Sequence, residues 1–149
     1  DPNTNYPGFE EVLLENVHCY KNRNNGAVTY GYMESGQTKW ANHNFTVRGC
    51  KFYNNTGYPA STHKGSGLII GDVDNGLVEY CEAFGNGAGN TNCGGPGGIW
   101  TYNSRRVIIQ YSESHHNKAG GPSACDGLGF DIDGGGRDCI IQYCYSHDN

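Results

Sequence analysis

Five stretches decide the fold of this chain: Asn16-Val-His-Cys-Tyr-Lys-Asn22, Gly49-Cys-Lys-Phe-Tyr-Asn-Asn55, Tyr80-Cys-Glu-Ala-Phe-Gly-Asn86, Tyr111-Ser-Glu-Ser-His-His-Asn117 and Tyr143-Cys-Tyr-Ser-His-Asp-Asn149. Their closing asparagines lie 33, 31, 31 and 32 residues apart. Columns recur along with the ends. Leu14, Val47, Val78, Ile109 and Ile141 make an aliphatic file, and Val17, Cys50, Cys81, Ser112 and Cys144 make a file of small residues. Between the two stand Glu15, Arg48, Glu79, Gln110 and Gln142, all polar. Apolar and polar positions alternating at period two are the mark of a half-buried strand.

A second strand follows in most repeats, at Gly67-Leu-Ile-Ile, Gly98-Ile-Trp-Thr and Gly129-Phe-Asp-Ile, with Ala27-Val-Thr-Tyr as the counterpart in the first. No segment keeps a helical period, and the leucine scaffold of a leucine-rich repeat is missing. Two or three short strands per turn, with Gly and Asn at the corners, predict an all-β solenoid of about five coils of 31–33 residues. Such a fold tolerates a hydrophobic fraction of only 36%, because each coil buries its apolar face against the next. Tyr20, Tyr53, Phe84, His115 and His147 share a column, so their rings are expected to stack about 4.8 Å apart. His115 and His147 are read as rungs of that ladder. The asparagines that close each repeat are expected to stack as well, at a turn where Asn tolerates left-handed backbone.

From Phe9 onward the pattern resembles the right-handed parallel β-helix proteins, the group that holds pectate lyases, polysaccharide epimerases and phage tailspikes. The resemblance implies a single domain over 1–149 and a polysaccharide as partner. It does not carry an activity over. The N-T-D, D-D, G-H-G and R-I-K set of polygalacturonases and the D-P-H-E motif of alginate epimerases are missing from this sequence.

Composition narrows the partners. A net charge of −5 with only ten Lys and Arg leaves no basic footprint for nucleic acid. No apolar run approaches the roughly 20 residues of a membrane span. Seven cysteines in 149 residues point to an oxidising, extracellular setting. Cys93 and Cys125 fall in corresponding loops and are expected to form a disulfide, while Cys50, Cys81, Cys144 and Cys19 lie in or beside inward columns. Asn44 and Asn54 head glycosylation sequons. No capping helix is visible at either end. The chain is therefore expected to be part of a longer solenoid, or a unit that self-associates head to tail.

The chemistry is expected around Cys125-Asp-Gly-Leu-Gly-Phe-Asp-Ile-Asp133. With Phe130 and Ile132 inward, Asp131 and Asp133 turn outward on one face, about 7 Å apart, and Asp126 is near in the preceding loop. The Asp-Gly-x-Gly-Phe-Asp stretch resembles the D-G-x-D segments of some β-helix pectate lyases. That likeness suggests calcium on Asp126, Asp131 and Asp133, with Asp131, Asp133 and a base at Lys118 performing β-elimination on an acidic polysaccharide. Trp100 and Tyr102, one coil earlier, would stack on sugar rings, and Arg105 and Arg106 would hold uronate carboxylates. The competing reading is a non-catalytic structural or adhesive solenoid.

Overall fold

The computed structural model describes residues 8–31, 36–59, 62–121 and 125–149. Their strands are β1 (Glu10–Glu15), β2 (His18–Tyr20), β3 (Ala27–Val28), β4 (Asn42–Arg48), β5 (Lys51–Tyr53), β6 (Leu68–Gly71), β7 (Val73–Glu79), β8 (Glu82–Phe84), β9 (Gly97–Tyr102), β10 (Arg105–Gln110), β11 (Glu113–His115), β12 (Leu128–Ile132), β13 (Ile140–Gln142) and β14 (Tyr145–His147). Three all-parallel sheets collect them: β1-β4-β7-β10-β13, β2-β5-β8-β11-β14 and β3-β6-β9-β12. Two sheets have five rungs and the third has four, so the expected five coils become between four and five. Among the described residues no helix is long and apolar enough to cross a membrane.

The columns read from the sequence are the hydrogen-bonded rungs. Leu14 pairs with Val47, Val47 with Val78, Val78 with Ile109, and Ile109 with Ile141. These side chains fill the interior with Phe45, Phe52, Leu68, Ile70, Ile99 and Val107. One inward file carries a single large residue, Phe52, between Cys19 and Ala83. The polar file forms its own ladder outside: Arg48 Nε and Gln110 Nε2 donate to Glu79, and Gln142 Nε2 donates to Gln110. One register differs from expectation. Ala27 pairs with Leu68, so Gly26 and not Ala27 matches Gly67, because the first coil is entered through a shorter loop.

The aromatic ladder stands as expected, with centroid spacings of 4.9, 4.9, 5.1 and 4.8 Å from Tyr20 to His147. The asparagine ladder stacks too, but its backbone differs. Left-handed φ falls one residue earlier, at Lys21, Asn54, Gly85, His116 and Asp148. That kink turns the asparagines inward, where Asn55, Asn86 and Asn117 are fully buried. Each amide then donates to the next: Asn22 to Asn55 at 2.9 Å, Asn55 to Asn86 at 2.9 Å, Asn86 to Asn117 at 2.8 Å and Asn117 to Asn149 at 3.0 Å. A file of glycines faces this ladder. A Cβ on Gly98 would collide with Ser114 Oγ and stand 2.8 Å from Asn117 Nδ2.

Excursions line the outside of the β3-β6-β9-β12 sheet. The 57–64 and 87–96 segments are joined by His63 N–H donating to Gly94 O at 2.8 Å. Cys93 and Cys125 form the expected disulfide, with Cα atoms 4.6 Å apart. Cys19, Cys50, Cys81, Cys139 and Cys144 are free thiols, and burial pushes the Cys81 thiol up to about 12, which suits an inert core residue. The segment around Asp1, and parts of the excursions at Gly31 to His43 and Gly57 to Lys64, lie outside the described residues.

Candidate functional site

The acidic face forms in the expected register: Asp131 pairs with Trp100 on the neighbouring rung. The hollow beside it is small. Asp126, Asp131 and Asp133 line a hollow of about 40 Å³ with His63, Pro96 and Trp100, room for a few waters and not for a sugar ring. Trp100 faces away from the core, yet it is only 4% exposed. His63 packs edge-on against its ring at 5.2 Å, and its Nε1–H donates to Ser66 Oγ. Tyr102 is half-buried beside it, with ring centroids 5.4 Å apart. The stacking face expected of Trp100 is thus covered, because the excursions fold back over this sheet. Asp126 is tied to the Gly95 N–H and Asp133 to the Gly134 N–H. Among the described residues, ligand atoms from three or more His, Cys, Asp or Glu gather within 4.8 Å of one another in two places, and neither includes these aspartates.

The expected cations are elsewhere. Arg105 and Arg106 both fork onto Asp74, with N···O distances of 2.6–3.1 Å. Arg105 also lies over the Trp40 ring at 4.3 Å. Asp74 occupies the same column as Arg105 one coil earlier, and its hydrogen bond from Arg105 leads the effects that hold its carboxyl below the ordinary range. Both guanidiniums are thus engaged by Asp74. Lys118 is exposed, and the carboxylate it favours electrostatically is Asp148.

Asp131 is left among its own kind. Burial, then Asp133, then Asp126 raise its carboxyl from the ordinary value. A raised acid holds its proton more tightly folded than unfolded, so stability falls as pH climbs through that interval and stays lower above it. Asp131→Asn is therefore expected to stabilise the chain at pH 7 by under about 1 kcal/mol. The gain should vanish below about pH 4, where the unfolded carboxyl is itself protonated. Urea unfolding of both proteins at pH 3.5 and 7 checks this, and an equal gain at both would refute it.

A larger opening lies at the corner between the first two sheets. Tyr80, Tyr111 and Tyr143 stack in register with centroids 5.5 and 5.2 Å apart. They are 60%, 46% and 71% exposed. With Lys51, Glu82, Glu113 and Tyr145 they line a groove of about 530 Å³. Lys51 Nζ reaches Glu82 at 2.6 Å, and His147 Nε2 meets Glu113 at 2.9 Å. Burial opposes ionisation of Glu82, but Lys51 and His115 outweigh it and hold its carboxyl below the ordinary range. The three tyrosines have φ of 54°, 47° and 52°. A bulky side chain in the left-handed region is a true outlier, costing roughly 1–2 kcal/mol per residue. In the first two coils the same corner is held by Asn16 and Gly49, the residue types that tolerate it.

A family model described as the right handed beta helix region matches residues 5–149. The chain belongs to the right-handed β-helix family. No curated protein and no solved structure matches it. Membership of the β-helix family accounts for the parallel rungs and the stacked ladders and leaves the chemistry open.

Of the two sequons in this β-helix, Asn54 stands exposed at a corner. Asn44 lies inside β4, where its amide donates to Glu11 and accepts from Asn75, each at 2.7 Å. The tyrosine groove escaped the sequence reading, although its column is visible there. The signal was the change from Asn16 and Gly49 to three consecutive tyrosines at a position that disfavours them.

Proposed function

We propose that this β-helix is an extracellular glycan-binding protein that holds a polysaccharide along the Tyr80, Tyr111 and Tyr143 groove without cleaving it. The observation that carries the reading is the ladder itself: three exposed rings kept at an unfavourable backbone position. Strained residues cluster where function requires them, and a stacked ladder presents ring edges and phenol hydroxyls, which offer apolar contact and hydrogen bonds to a sugar chain. The groove places one ring per coil, so a glycan running along the solenoid axis meets a tyrosine at each step. Its carboxylates are partnered, and its one lysine is neutralised by Glu82, which favours an uncharged chain over a uronate polymer. The Cys93–Cys125 disulfide supports an extracellular address.

The reading is tested by affinity electrophoresis in gels containing neutral or acidic polysaccharides, with and without calcium. Product assays for new reducing ends and for ultraviolet absorbance of unsaturated uronates run in parallel. Retardation by a neutral polysaccharide, with neither product, is the expected result. Calcium-dependent absorbance would overturn it in favour of elimination at Asp131 and Asp133, and absence of retardation by every glycan would leave the structural solenoid.

A further inference from the structure

The last two rungs of the β2-β5-β8-β11-β14 sheet carry a histidine cluster that meets the groove through Glu82 and Glu113. The Tyr20, Tyr53, Phe84 column changes there to His115 and His147, and the Lys21, Asn54, Gly85 column changes to His116 and Asp148. His116 and Asp148 both have φ of 55°. That kink brings neighbours in sequence together, where a regular strand would point them to opposite faces. His115 Nδ1 and His116 Nδ1 are 2.7 Å apart, and His147 Nδ1 lies 2.8 Å from Asp148 Oδ2.

Once the proton between His147 Nδ1 and Asp148 Oδ2 leaves, as metal binding requires, one proton in each remaining gap orders the set. Glu82 accepts from His115 Nε2–H at 3.2 Å, and His115 Nδ1 then accepts from His116 Nδ1–H, which leaves a lone pair on His116 Nε2. Glu113 accepts from His147 Nε2–H at 2.9 Å, which leaves a lone pair on His147 Nδ1. Both free nitrogens face the Asp148 carboxylate, at 3.9 and 2.8 Å from Oδ2, and the three ligand atoms lie within 4.8 Å of one another. We propose that His116, His147 and Asp148 form a binding site for a divalent transition-metal ion of the zinc type. Ligands about 2.1 Å from a tetrahedral zinc stand about 3.4 Å apart, and the observed gaps straddle that value. Imidazole and carboxylate suit zinc, copper or nickel, whereas calcium takes six to eight oxygens. Glu113 on the far nitrogen of His147 is the outer carboxylate that orients a metal-binding histidine. Side-chain exposures of 57%, 26% and 64% leave the remaining coordination positions open to water or a ligand. The site does not depend on the glycan reading.

The test is isothermal titration of the tag-free full chain with zinc chloride, with calcium chloride as comparison. One equivalent of zinc is expected to bind saturably, and calcium is not. His116→Ala plus His147→Ala should abolish the heat with an unchanged circular dichroism spectrum, and Glu113→Gln should weaken binding about 10- to 100-fold. His18→Ala, elsewhere on the same sheet, should bind as the unmodified chain does. Long-range ¹H–¹⁵N spectra of the unmodified chain give a readout free of any folding change: zinc should shift His116 Nε2 and His147 Nδ1. Absence of saturable binding, full binding by the double variant, or shifts confined to other histidines would each overturn the proposal.

Discussion

Asn86→Ala is expected to cost this small solenoid about 4 kcal/mol or more, a loss large enough to unfold most of it in mild urea. Asn86 is 1% exposed, and its side chain holds four hydrogen bonds. Its Oδ1 accepts from the backbone N–H and the amide of Asn55, and its Nδ2 donates to Phe52 O and to Asn117 Oδ1. Truncation removes all four: the buried Asn55 N–H loses its acceptor, while Asn55 Nδ2 keeps Cys19 O and Asn117 Oδ1 keeps the backbone N–H of Asn86, so the loss is about 1 kcal/mol for each bond. Nothing around the site can close in, because the facing file is glycine backbone. The ladder itself supplies the control. Asn22 is exposed, and its side chain makes one bond, Nδ2 donating to Asn55 Oδ1, so Asn22→Ala should cost about 1 kcal/mol. Equilibrium urea unfolding of the two variants gives the comparison, and equal losses would show that the inward ladder is not what holds the coils together.

The difference between those two asparagines marks what the sequence could and could not disclose. In a parallel solenoid each residue sits above its counterpart one turn away, so a repeat of about 32 residues reads directly as columns and rungs. The aliphatic file, the ring ladder and the Cys93–Cys125 bridge were legible for that reason. The side to which a corner residue turns was not, because it depends on the φ of the residue before it. Left-handed backbone was expected at the asparagines themselves and occurs at their predecessors. Arg105 and Arg106 were read as free forks, although Asp74 stands one repeat before Arg105 in the same column. Trp100 was read as an outward platform, which its strand register supports. His63 covers it from an excursion that does not repeat, and columns carry no information about such segments. The acidic cluster was legible as residues and illegible as a site, since the small size of its hollow depends on the excursion that carries His63.

Tyr111→Gly is the substitution expected to separate binding from folding most sharply. Tyr111 is the middle ring of the groove, stacked between Tyr80 and Tyr143, with φ of 47°. Glycine adopts that backbone freely, so the change relieves roughly 1–2 kcal/mol of left-handed strain. Against this stands the loss of stacking on two exposed neighbours, about 0.5–1.5 kcal/mol per pair, and the greater chain entropy of an unfolded glycine, about 0.5–1 kcal/mol. The terms partly offset one another, and the net loss of unfolding free energy should be about 1 kcal/mol. Binding has no such compensation. Removing the central aromatic anchor of an interface costs about 2 kcal/mol or more, roughly a 30-fold rise in Kd for the glycan that retards the unmodified chain. Tyr20→Ala removes an aromatic of similar exposure outside the groove and should leave that Kd unchanged. A glycan held equally well by Tyr111→Gly would remove the groove as the binding site. Loss of binding together with loss of fold would instead show that the tyrosines occupy their strained corner to hold the coils together.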